Sequence, residues 1–355
     1  MIDFRYHLVS LVAVFIALAV GIVLGAGPLR EGISQTIDEE VAQLRTERTE
    51  LRSELDVRSR QAAAKDEAVA LLSPRGVAGT LNGTRVGLVV LPGADRNHVA
   101  SLEDRLNEAG GAVVLQVDVD GSFDAAELDA GVAERLATTL EVPEAPGLDD
   151  SSLGALVGAT LAGADGEGGV GAWLTAAERL EDEGLLDLRW QQPDAQVADR
   201  RPPDALLLVG GGLPVADGDD VDPEAQTRLR TRLDLVRALA ALQQPVVVAA
   251  AGTETDALAE GGGEDGLVGA IRDDGALRDD VSTVDDLESH SGRAAAVLAV
   301  AWELQEEAGH YGLGQGAEAP VPAPPPLRLG TVPGTAERAP APEPVPDDAE
   351  TTTVP

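Results

Sequence analysis

Four imidazoles, His7, His98, His290 and His310, are the side chains best suited to proton transfer or transition-metal binding near neutral pH. No two of them stand at metal-ligand spacing, so a metal site would have to be assembled by the fold, with His98, His290 and His310 as its candidate ligands. The ordinary use of such residues is at a surface or a helix cap. Sulfur is almost missing. The chain holds no cysteine and only Met1 among methionines, which excludes disulfides, thiolate metal sites and cysteine nucleophiles. Ser289-His290-Ser291 sets hydroxyls beside an imidazole. Residues adjacent in sequence seldom face each other as nucleophile and base, however, and no G-x-S-x-G elbow accompanies them. Neither catalytic residues nor an enzymatic activity are expected.

Glycine-bearing loops and acidic clusters offer weaker chemistry. Val209-Gly-Gly-Gly-Leu-Pro214 follows an apolar run, where α/β folds often place ligands, but it lacks both the GxGxxG spacing and a Walker lysine. It reads as a tight turn, as does Leu91-Pro-Gly-Ala-Asp95. Asp217, Asp219, Asp220 and Asp222 could draw a hard cation, yet their spacing does not match an EF-hand. They read as a solvated acidic loop, and Asp118 and Asp120 before Gly121 read the same way.

The element that would place this chemistry in a cell is the uncharged run from Leu8 to Ala26. As a helix rising about 1.5 Å per residue it reaches about 28 Å, close to the thickness of a hydrocarbon core. A cleaved signal peptide is the alternative, with Arg5 as its positive region and Gly25-Ala26-Gly27 near a cleavage point. The run is longer than an ordinary signal-peptide core, and an amphipathic helix continues from it. Residues 1–27 are therefore expected to be an uncleaved, single-pass membrane anchor, with the bulk of the chain outside the cytoplasm.

Composition narrows the class of partner. Of 355 residues, 62 are acidic and 26 basic, a formal charge of −36, which repels phosphate backbones and makes nucleic-acid binding improbable. Lys65 is the single lysine, and with 40 glycines, 22 prolines and abundant alanine the composition suggests a high-GC bacterial genome. Aromatics are 2%, so a core must be built from Val, Leu and Ala.

Residues 28–75 are expected to form a coiled-coil stalk. Taking Ile37, Leu44, Leu51 and Arg58 as d positions places Val41, Arg48, Leu55 and Ala62 at a, a heptad seam interrupted by the two arginines. Self-association through residues 33–72 is expected, helped by membrane tethering, which raises the effective concentration of neighbouring copies; the alternative is a solvated stalk helix or one packed on its own globular domain. Ser73-Pro74-Arg75-Gly76 is expected to end the helix.

Residues 76–316 then read as one α/β domain with an open, mostly parallel sheet and Rossmann-like layers. Arg85 to Leu91, Ala112 to Val119, Ala205 to Val209 and Pro245 to Ala249 carry buried-strand signatures. Helical patterns fill Asn97 to Ala109, Pro223 to Gln244 and Gly292 to Glu307, and the middle, Phe123 to Leu188, reads as mainly helical. Residues 317–355 change character. Eleven of the 22 prolines lie from Pro320 onward, too little apolar material to offset ordering, so a disordered tail is expected.

Two blocks carry a family resemblance. The opening Phe4-Arg-Tyr-His-Leu-Val-Ser-Leu-Val-Ala-Val-Phe-Ile-Ala-Leu-Ala-Val-Gly-Ile-Val-Leu-Gly25 resembles the start of the actinobacterial MctB-like copper transporter proteins. So do Val284-Asp285-Asp286, Ser291-Gly-Arg-Ala-Ala-Ala-Val-Leu-Ala-Val300 and Gly309-His-Tyr-Gly-Leu-Gly314. The resemblance covers roughly residues 1–314 and implies an actinobacterial envelope protein serving copper efflux and copper homeostasis. It implies no resident cofactor, copper being at most a transient passenger. It also implies a different role, as a scaffold for a cell-wall or septal regulatory protein.

Overall fold

The computed structural model of the chain describes residues 4–26, 28–125, 147–148, 152–162, 169–191, 202–210, 223–251 and 266–325. They fall into two compact units, the first ending at Glu67 and the second beginning at Ala68.

The first unit contains helix α1 (Phe4–Ala26) and most of helix α2 (Pro28–Val77). Every side chain from Phe4 to Val23 is exposed, and these 20 residues are long and apolar enough to cross a membrane. Proline opens α2 where its missing N–H leaves no bond unmade. The helix does not stop at Ser73, as the Pro-Arg-Gly signal suggested, but carries Pro74 inside it and runs to Val77. Its final turn is held from outside the helix. Val77 is buried in the core of the second unit, and its carbonyl accepts from both the N–H and the hydroxyl of Thr80.

The second unit is built on a seven-stranded sheet of order β3-β2-β1-β4-β5-β6-β7. Its strands are β1 (Arg85–Val90), β2 (Ala112–Val119), β3 (Leu186–Trp190), β4 (Ala205–Gly210), β5 (Val246–Ala250), β6 (Ser282–Val284) and β7 (His310–Tyr311). All neighbours pair in parallel except β3, which runs antiparallel to β2 with Leu115 opposite Trp190. The register aligns Val90 with Val209 and Val209 with Ala249, so the central strands are buried on both faces.

One face carries α3 (Arg96–Glu108) and α8 (His290–Glu303), packed on Val86, Leu88, Leu207 and Val247. The other carries α4 (Leu153–Ala162), α5 (Gly169–Asp182), α6 (Pro223–Ala241) and α7 (Gly266–Asp273), over Val89, Leu115, Leu208 and Val248. Alternate residues of the central strands β1, β4 and β5 feed alternate cores. Glycine sets the approach of α4 to α6. A Cβ on Gly154 would stand 1.9 Å from the Thr231 carbonyl oxygen, and one on Gly158 2.5 Å from that of Leu235.

Among the described residues of the middle segment α4 and α5 are helical as expected, and its end turns into a strand. Leu186–Trp190 is an edge strand, alternating buried and exposed side chains. Trp190 meets Trp173 of α5 edge to face with ring centroids 5.7 Å apart, and Trp173 donates to the Leu161 carbonyl. Short elements with no strong sequence signal, α7, β6 and β7, complete the sheet's far side. Residues 126–146, part of the expected helical middle, and 326–355, most of the expected tail, lie outside the described residues.

Candidate functional site

In an open α/β sheet the strand order reverses at one point, and ligands favour the crevice at the carboxyl ends of the strands there. Here that point lies between β1 and β4. Leu91–Asp95 leaves β1, and Asp95 caps α3 by accepting the Asn97 N–H at 2.7 Å. A buried guanidinium ties this end of the sheet together. Arg232 of α6 donates to the Pro92 carbonyl at 2.9 Å and to both oxygens of Asp124 at 2.6 and 3.1 Å. Thus the loop after β1, the turn after β2 and a helix of the opposite face share one charge pair. Gly210 ends β4, whereas Gly211 to Pro214 and Asp217, Asp219, Asp220 and Asp222 lie outside the described residues. Asp118 is bridged by Arg189 of β3 at 2.7 Å. Asp120 accepts the Ser122 N–H, which holds its carboxyl below the usual range.

A second polar assembly lies beneath the glycine-rich segment after β7. Arg272 of α7 and Asp285, just past β6, are 2% and 5% exposed and pair at 2.8 Å. Asp285 also accepts the backbone N–H groups of Leu313 at 2.6 Å and Gly314 at 3.1 Å. Gly312 makes this possible. Its φ of 129° belongs to glycine, and a Cβ there would fall 2.0 Å from Asp285 Oδ1. Arg272 in turn donates to the carbonyls of Tyr311 and Gln315.

For a neutral His310 ring the hydrogen bonds have only one consistent direction. Its Nε2 lies 3.0 Å from the Arg278 carbonyl, which can only accept, so Nε2 carries the proton. Nδ1 then accepts from the Thr283 hydroxyl at 2.8 Å, and that oxygen accepts from Arg272 Nε at 3.0 Å. Burial and the nearby Arg272 charge hold the imidazole below its ordinary value, in keeping with a neutral ring. Both ring nitrogens are committed to the protein.

Glu303 closes the far end of the same layer. It accepts the Ser282 N–H, while the Ser282 hydroxyl accepts from the Gly309 N–H. Burial pushes its carboxyl up to about 7, although the Ser282 hydrogen bonds pull downward. Burial also raises the Tyr311 phenol, with Glu318, Glu303 and Glu307 adding to the shift.

The three candidate histidine ligands sit on separate elements. His98 lies half-buried on α3, His290 half-buried as the first residue of α8, and His310 buried on β7. Among the described residues, no three of His, Asp and Glu gather as a metal-binding group. Ser289 serves as the cap of α8, accepting the Gly292 N–H at 2.9 Å and bonding Asp286 and Ser291. Arg232 and Arg272 were not singled out from sequence, since nothing local marks an arginine as buried. Asp285 and the glycine segment were legible only as a shared pattern, without the reason for it.

A family model described as "Copper transport outer membrane protein, MctB" matches residues 1–322. Among curated proteins, the Copper transporter MctB of Mycobacterium tuberculosis is 28% identical over 335 residues, covering 89% of this chain and 98% of that protein. The protein of the same name from Mycobacterium bovis matches to the same extent. That of Mycobacterium leprae is 28% identical over 333 residues, with the same shares covered.

Proposed function

Because the chain belongs to the MctB copper transport family, we propose that it works as a membrane-anchored cell-envelope protein in copper efflux and copper homeostasis. The match over residues 1–322 carries this reading, since it takes in the apolar helix, α2 and the sheet unit together. The apolar helix Phe4–Val23 supports a single-pass anchor in the cell membrane with the bulk of the chain outside the cytoplasm. The one helix among the described residues that is long and apolar enough to span cannot enclose a conduit by itself, so the protein would act as a component of a larger assembly. The donors it offers copper are imidazole and carboxylate, with Met1 the single thioether, a set that suits Cu(II) better than Cu(I). Of the candidate ligands, half-buried His98 and His290 are less enclosed than the buried His310, both of whose ring nitrogens are hydrogen-bonded. The test is cellular copper under challenge: deletion should raise copper content and sensitivity, and the full-length gene should reverse both. Unchanged copper content in the deletion strain would reject the reading.

A second reading, a non-enzymatic coiled-coil scaffold for a cell-wall or septation regulator, is favoured by the apolar residues that α2 leaves exposed. Crosslinking in cells should then capture a division or cell-wall factor on the full-length protein. Normal septation after deletion, with no such factor captured, would refute it.

A further inference from the structure

Helix α2 leaves a row of apolar side chains exposed along one side. Leu44, Leu51 and Leu55 are 58%, 54% and 62% exposed, and with Val41 they form one seam along the helix. The residues flanking that seam have opposite signs on its two edges. Glu40, Glu47 and Glu54 occupy successive g positions, and Arg45 and Arg52 occupy e positions. Four residues onward from Glu40, Glu47 and Arg45 stand Leu44, Leu51 and Thr49, so their own helix offers no opposite charge there. Among the described residues no ion pair forms at Glu40, Arg45, Glu47 or Arg52.

We infer that two copies pair through residues 40–55 of α2 as a parallel, in-register coiled coil, with Glu40 and Glu47 of each facing Arg45 and Arg52 of the other. In a parallel pair each g residue approaches the e residue five positions further along the second helix, which joins Glu40 to Arg45 and Glu47 to Arg52. An antiparallel pair would set g against g and e against e, glutamate against glutamate and arginine against arginine. Charge therefore selects orientation. The interruptions select the number of copies. Arg48 at an a position keeps its charge in water more readily in a two-stranded seam than in a more enclosed one. Arg58 at d is drawn to the seam's edge by Glu54, at 2.7 and 3.1 Å. Two chains anchored in one membrane by their amino-terminal helices would meet in the same orientation. The pairing does not depend on the copper reading.

The cysteine-free chain allows a clean test on the full-length protein in detergent or nanodiscs. Leu55→Cys should form an intermolecular disulfide on mild oxidation, because only in-register parallel helices bring residue 55 against itself. Ser53→Cys, on the outer face, should not. E40R/E47R should weaken dimerisation at least about tenfold at low salt, and adding R45E/R52E should restore it. Circular dichroism confirms that α2 stays helical in each variant. Crosslinking of L55C no stronger than of S53C, a monomeric wild type at tens of micromolar, or failure of the fourfold charge swap to restore association would each overturn the inference.

Discussion

Asp285 accepts from Arg272, Leu313 and Gly314 at once, so removing its carboxylate leaves the buried Arg272 guanidinium without its counter-charge and two backbone N–H groups unbonded. Breaking one side of a buried pair costs about 3–5 kcal/mol. Asp285→Ala should therefore lower unfolding stability by about that much in denaturant titration, and Asp285→Asn by less, since an amide oxygen still accepts. Glu303 gives a pH signature. Its folded value of about 7 exceeds the ordinary 4.5, so the fold binds this proton more tightly than the unfolded chain does. The stabilisation is complete below about 4.5 and is lost as pH rises through about 7, on the order of 3 kcal/mol in all. Glu303→Gln keeps an acceptor for the Ser282 N–H but cannot titrate. Compared with this variant, the wild type should lose stability between pH 5 and pH 8 in thermal melts. His310, held below its ordinary value, acts in the opposite sense, losing stability as pH falls below about 6.5. It is present in both proteins and cancels in the difference. Parallel melting curves across that range would contradict the assignment.

At the scale of elements, the pairing of α4 with α6 rests on hydrogen atoms at two positions. Gly154 and Gly158 lie one turn apart on α4 against backbone of α6, where any side chain must push the helices apart. Gly154→Ala should cost about 3 kcal/mol or more despite its gain in helix propensity, which is worth only about 1 kcal/mol. Urea unfolding measures this, and a stabilised variant would show that the helices can slide. The end of α2 teaches a related lesson. Pro74 removes one helix donor, and the buried Val77 with its two bonds from Thr80 still holds the turn that follows. Tertiary anchoring outweighs a local stop signal.

For the whole molecule, the consequence of the apolar helix is topology. A chain without cysteine can carry a single reporter thiol at any exposed position. Ser53→Cys and Leu313→Cys, both at exposed sites, should react with a membrane-impermeant maleimide in intact cells. Labelling only after permeabilisation would place these residues in the cytoplasm and reject the proposed orientation.

Elements whose burial is uniform or periodic were legible from the residues alone. The apolar run of α1, the continuous apolar stretches of β1, β4 and β5 and the one-sided pattern of α3 each state their environment locally. Short elements were not, because β6 and β7, of three and two residues, owe their pairing to neighbours distant in sequence. Leu186–Trp190 alternates like a strand, but so short a run after helical sequence needed β2 beside it to decide. The polar interior follows the same rule. Composition determined that copper would meet no thiolate, and spacing showed that the histidines could not form a site alone. Only the tertiary structure could bring Arg272 to Asp285, or close both nitrogens of His310, because a buried charge is defined by partners that one-dimensional spacing does not contain.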